Sequence, residues 1–135
     1  MLVAGKKFTT IWFDNLNEWI KIIDQRLLPH EFKIVELKKF NDVVFAIKSM
    51  QVRGAPLIGV AASYGMFLAA NQDASIENLI ESRDQLIDTR PTAVNLSWAV
   101  DQIIAIAKNT EKINRKEIIL KIANKIRDED IKACS

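Results

Sequence analysis

The run from Ala55 to Gln72, APLIGVAASYGMFLAANQ, carries no charge at all, and it constrains the fold more than any other part of the chain. Such a segment has to leave water. It falls short of the ~20 residues needed to cross a bilayer and is rich in Gly, Ala and Ser, so it reads as a buried helix whose small side chains let neighbouring backbones come close. Pro56 suits the first helical position, where its missing N–H costs nothing, with Leu57 to Ala70 following. The rest of the chain must then supply cover for this helix.

That cover is itself mostly helical. Val43, Ala46, Ile47 and Met50 recur at i, i+3, i+4 and i+7, with Asn41 placed as an N-cap, so an amphipathic helix ends near Gln51. Ser75 caps another, carrying Ile76, Leu79, Ile80, Leu86 and Ile87 inward. It stops at or before Arg90, because Pro91 disfavours helical geometry in the residue ahead of it. Leu96, Val100, Ile103 and Ala107 mark the face of a further helix, and Asn114 with Glu117 makes a capping-box-like start for the last, where Ile119, Ile122, Ala123 and Ile126 recur.

Ahead of the helices, KFTTIWF and EWIKII flank the turn-forming DNLN, a hairpin signal, and FKIVEL follows the break at Pro29 as a third extended run. The expected architecture is α+β: a small three-stranded antiparallel sheet followed by a mostly helical bundle of about five helices. At 135 residues the chain is the size of one domain, spanning 1–135.

Charge and cysteine usage narrow the function classes. A formal net charge of +2, with basic residues dispersed along the chain, gives no footprint for nucleic acid. The opening MLVAGKKFTTIWF lacks the apolar core and cleavage site of a signal peptide, and no membrane partner is expected. The single cysteine, Cys134, allows no internal disulfide and no cysteine metal cluster, which fits a reducing cytoplasm.

Chemistry concentrates at two junctions of the same form, VRGAP and TRPTAV, each an arginine followed by a proline and a helix. A helix N-terminus offers unpaired N–H groups and a positive dipole end, and an adjacent guanidinium adds a planar fork suited to phosphate. Gly54 can adopt positive φ and lets a ligand approach the backbone, while Leu57 and Ile58 keep donors free. The competing structural role for Arg53 and Arg90 is to cap carbonyls of preceding helices, with Gly54 closing a turn. Neither junction holds a group that moves protons near neutral pH: Ser63, Thr89 and Thr92 need a base. His30 falls in a turn, Cys134 has no histidine near it in sequence, and Asp128, Glu129 and Asp130 read as a solvated face. No residue of the chain is assigned as catalytic or as a metal ligand.

In order and spacing, IIDQRLLP, AIKSMQVRGAPLIGVAASYG and TRPTAVNLSWAV resemble the N-terminal domain of the methylthioribose-1-phosphate isomerases, a family related to the regulatory subunits of translation initiation factor 2B. The resemblance runs from Ile11 to about Ile131. It implies an N-terminal substrate-binding domain of an aldose–ketose isomerase that converts 5-methylthioribose 1-phosphate to 5-methylthioribulose 1-phosphate in methionine salvage, without a cofactor. It implies sugar-phosphate contacts at Arg53, Gly54, Ala55 and Arg90, the residues the anion argument selects. It also implies that the catalytic groups belong to a Rossmann-like C-terminal domain, whose motifs nothing here matches, so that this chain by itself is inactive. Leu57 stands where the family usually carries alanine. The alternatives are a regulatory or assembly module like the initiation-factor subunits, or a degenerate remnant. An apolar patch left for a neighbouring domain is expected on the last helix or on the helix after Pro56, with weak self-association in consequence.

Overall fold

The computed structural model describes residues 2–3, 6–7, 11–24, 26, 33–52 and 54–134, with side chains described within 11–129. Five short strands come first: β1 (Leu2–Val3), β2 (Lys6–Lys7), β3 (Ile11–Asp14), β4 (Trp19–Ile23) and β5 (Ile34–Leu37). Five helices follow: α1 (Phe40–Lys48), α2 (Ala55–Gln72), α3 (Ile76–Thr89), α4 (Val94–Lys108) and α5 (Lys112–Cys134). The expected α+β arrangement is the one found. Strands β3, β4 and β5 form the antiparallel sheet in that order, and β1 pairs with β2 in a separate two-stranded piece that the sequence pattern did not announce.

Register explains the inward face of the sheet. Ile11 lies opposite Ile22 and Phe13 opposite Ile20, while Ile20 faces Leu37 and Ile22 faces Val35. One face therefore collects Ile11, Phe13, Ile20, Ile22, Val35 and Leu37, as a period of two requires. The hairpin turn forms because the Asp14 carboxylate accepts the N–H of Leu16 at 3.0 Å and the side-chain amide of Asn17 at 3.0 Å. Those contacts, the Asn17 amide foremost, hold the Asp14 carboxyl below its ordinary range. Phe13 carries the sheet onto α2, stacked 6.3 Å from Tyr64 and edge-on 5.4 Å from Phe67.

Helix α2 is the axis of the domain: every residue from Ile58 to Ala70 is buried, and α1, α3, α4, α5 and β3 all pack on it. Two glycines set how close they come. A Cβ on Gly59 would stand 3.1 Å from the backbone oxygen of Asn95 in α4, and one on Gly65 would stand 3.0 Å from Val43 Cγ1 in α1. The Tyr64 hydroxyl donates to Asn124 Oδ1 at 2.6 Å, tying α2 to α5. No helix of the described residues is long and apolar enough to cross a membrane.

Several local expectations are corrected. Helix α1 is preceded by Lys39, not capped by Asn41. Its start is held by Asp42, whose carboxylate accepts the N–H groups of Lys38 and Lys39 at 3.0 and 3.1 Å. Met50 continues the apolar spacing but lies beyond the helix end, at φ +66°, and is exposed. Helix α2 begins at Ala55, so Pro56 is its second residue. Helix α5 begins at Lys112, which puts Asn114 inside its first turn. Ser75 does cap α3, accepting from the N–H of Asn78 at 3.2 Å, and α3 does stop short of Pro91, at Thr89.

Candidate functional site

Helices α2 and α4 begin side by side. Neither start has a side-chain cap or an acidic residue in its first turn, whereas α3 has its serine and α1 its aspartate. Between them lies an open cleft of about 250 Å³ lined by Pro56, Gly59 and Val60 of α2, Asn95, Trp98 and Ala99 of α4, and Ile126 and Glu129 of α5. The cleft wall is made of the flanks of α2 and α4, with the Glu129 carboxylate of α5 beside them, and Gly54, Ala55 and Arg90 are not part of its lining.

The first start depends on Gly54. Its φ of +98° is one that an L side chain rarely adopts, and a Cβ built there would meet nothing within 4 Å. The glycine is thus required by backbone conformation and not by crowding, and the space above it is open. Gly54, Ala55 and Pro56 are all exposed. The donor of Ile58 is not free as expected, because it is spent on the Gly54 carbonyl at 2.9 Å. The segment leading to Gly54 is folded back on α1, with Val52 donating to the Ala46 carbonyl at 3.2 Å. Arg53 lies outside the described residues, as does His30; the Cys134 side chain lies outside them too.

The second start follows a tight turn, in which the N–H of Ala93 donates to the Arg90 carbonyl at 2.9 Å. The Arg90 side chain reaches across to α1, where Nη2 donates to the Ile47 carbonyl at 3.2 Å. Nε is buried and has no hydrogen-bond partner among the described residues, and no carboxylate among them pairs with this guanidinium. Carbonyl capping therefore occupies one nitrogen of Arg90. It also sets the guanidinium at the end of α1 from which the segment carrying Gly54 departs.

Three groups outside the cleft lining, Tyr64, Asp24 and Asp73, have shifted titration. Burial pushes the Tyr64 phenol up to about 12, with Asp128 adding to the rise and Arg127 opposing it. Asp24 is held below the ordinary carboxylate range chiefly by hydrogen bonds from the Arg26 side chain, and Asp73 by the Ser75 backbone N–H. Every one of these shifts leads away from neutrality, the opposite of what a general acid or base needs. No group of three His, Cys, Asp or Glu side chains able to hold a metal occurs among the described residues.

Sequence reasoning missed Trp98, Asn95 and Glu129 as walls of the cleft. The signal available was the spacing in NLSWAV, which sets a tryptophan one turn into the helix that TRPTAV opens. Of the two helices expected to expose apolar surface, α2 is covered from Ile58 to Ala70 while the last helix, α5, exposes Ile113, and α4 adds Val94 (75% exposed) and Trp98 (58%) beside the cleft.

Residues 51–135 match the initiation factor 2 subunit family, and the chain belongs to that family. Among its curated relatives are methylthioribose-1-phosphate isomerases. That of Escherichia coli O45:K1 is 42% identical over 134 residues, covering 99% of this chain and 36% of the relative. That of Sinorhizobium medicae is 42% identical over 131 residues, again covering 36% of the relative. The chain thus spans little more than a third of their length. Two solved structures share the fold: the delta subunit of translation initiation factor eIF-2B from A. fulgidus, with a TM-score of 0.83 and 34% identity over 93% of this chain and 38% of that one, and 5-methylthioribose 1-phosphate isomerase from Pyrococcus horikoshii OT3, with a TM-score of 0.79 and 39% identity over 89% of this chain and 36% of that one.

Proposed function

We propose that this chain is the N-terminal substrate-binding domain of an aldose–ketose isomerase acting on 5-methylthioribose 1-phosphate, and that it supplies the phosphate and sugar contacts through Arg53, Gly54, Ala55 and Arg90. The observation that carries the reading is the uncapped, exposed start of α2 at Gly54, with the Arg90 guanidinium held at the end of α1 that feeds this junction. A phosphate monoester brings close to two negative charges and several acceptor oxygens, more than one guanidinium satisfies, and two guanidinium groups with a helix N-terminus meet that demand. The relatives' names supply the substrate.

An aldose–ketose conversion moves hydrogen between neighbouring carbons of the sugar, and this reading assigns that step to no described side chain of this domain. The catalytic groups belong to a Rossmann-like C-terminal domain in this reading, and the domain alone binds without turnover. Calorimetric titration of the chain with 5-methylthioribose 1-phosphate tests it: saturable binding is expected, weakened in Arg90→Lys, which keeps the charge but loses the fork, with no ketose formed. Absence of binding, equal binding by Arg90→Lys, or heat-labile turnover by the chain itself contradicts the reading.

A second reading, a regulatory or assembly module, draws on the likeness to the eIF-2B delta subunit. It predicts a domain that ignores sugar phosphates, so the same titration separates the two.

A further inference from the structure

Asp24 directly follows β4 with its side chain shut away from water, the residue being 1% exposed. A carboxylate in that position must be matched by donors, or the cost of desolvation goes unmet. Arg26 provides three: its Nε lies 3.1 Å from Oδ1, its Nη2 2.8 Å from Oδ2 and its backbone N–H 3.0 Å from Oδ1. These close a local turn. A further donor comes from 27 positions away, where Gln51 Nε2 lies 3.4 Å from Oδ2. Gln51 is itself buried, at 7% exposure.

Gln51 belongs to the segment between α1 and Gly54. Its neighbour Val52 is 1% exposed and donates its N–H to Ala46 of α1. The segment is therefore pinned on two sides, to the helix through Val52 and to the sheet through Gln51. Two residues later Gly54 takes its positive φ and opens α2. Two residues of chain span at most about 7 Å, so little slack separates the pinned pair from the junction.

We propose that Asp24 is a positioning residue for the Gly54 junction, acting through Gln51: the buried carboxylate, fixed by Arg26, holds the segment so that the start of α2 is presented in one conformation. The inference rests on the reading that this junction receives a phosphate group.

The test uses the 135-residue chain in three forms: wild type, Asp24→Asn and Gln51→Met. The second substitution keeps the side-chain length and replaces the amide, donor and acceptor together, by a thioether. Backbone ¹⁵N relaxation at Gly54 and Ala55 reads positioning without any ligand, and titration with inorganic phosphate reads its effect on binding. Both variants are expected to loosen the Gly54 and Ala55 amides, to leave those in the middle of α2 unchanged, and to weaken phosphate binding roughly three- to tenfold, the loss of one hydrogen bond. If Asp24→Asn unfolds for want of a partner for Arg26, Gln51→Met still decides. Unaltered Gly54 and Ala55 amides in a folded Gln51→Met chain overturn the proposal. Failure of the wild-type chain to bind phosphate counts instead against the substrate-binding reading, since the relaxation measurement stands without it.

Discussion

The Arg90 guanidinium and the Ile47 carbonyl, 43 positions apart in the chain, meet at 3.2 Å. That bond ties the turn between α3 and α4 to the end of α1, so a residue assigned to ligand binding also holds the scaffold together. Arg90→Ala is accordingly expected to lower stability by about 1.5–3 kcal/mol, the scale of a hydrogen bond made by a charged group. Arg90→Lys, able to reach the same carbonyl, should lose less stability than it loses affinity for phosphate. Urea denaturation of both variants checks the first half; equal stability of Arg90→Ala and wild type contradicts it.

Two glycines of α2 and its cap should fail for different reasons when replaced by alanine. At Gly54 the new Cβ has open space but the backbone sits at φ +98°, costing about 1–3 kcal/mol of strain. At Gly59 the backbone is helical but the Cβ comes 3.1 Å from the Asn95 carbonyl oxygen, so α4 must move outward at a cost of about 1–3 kcal/mol. The distinction is visible in the ¹⁵N–¹H spectrum: Gly59→Ala should shift amides of α4, and Gly54→Ala should not. Matching α4 shifts in the two variants contradict it.

Acid should weaken the fold through Asp24. Its folded pKa lies below the ordinary 3.8, chiefly because of the Arg26 side chain, so the unfolded chain takes up a proton first as pH falls. The stabilisation is complete above about pH 5 and is lost on descending through the unfolded value toward the lower folded one. Asp14 and Asp73 act in the same direction. Melting temperatures from pH 7 to pH 3 should fall along an acid limb that Asp24→Asn makes shallower. A limb of unchanged depth in that variant contradicts the assignment.

Val94 and Trp98, one turn apart on α4 and 75% and 58% exposed, form the apolar surface beside the cleft. Sedimentation velocity at rising concentration should detect weak self-association of the chain, diminished in Trp98→Ser with the fold intact. A wild-type chain that stays strictly monomeric contradicts this.

The helices were legible because their apolar positions repeat strongly: Leu96, Val100, Ile103 and Ala107 are buried as their spacing requires. The sheet was legible from β-branched and aromatic runs around a turn. Boundaries were less so. Asn41 and Asn114 are both good capping residues by type, yet α1 is started by Asp42 reaching back to the N–H groups of Lys38 and Lys39, and α5 starts two residues before Asn114. The two-residue strands β1 and β2 are too short to show alternation. At the site, Gly54 and Arg90 could be chosen from local chemistry alone, whereas Asp24 could not, since its meaning depends on Gln51 and on burial that no local pattern reveals.

The central claim is that the starts of α2 and α4 together receive a sugar phosphate. Its most direct test is titration of the ¹⁵N-labelled chain with 5-methylthioribose 1-phosphate, following backbone amides and the Arg90 Nε–H resonance. Saturable shifts concentrated at Gly54, Ala55, Leu57, Arg90 and the first turn of α4, abolished together in a folded Arg90→Ala chain, are predicted. Shifts that never saturate, or that gather away from these two helix starts, contradict it.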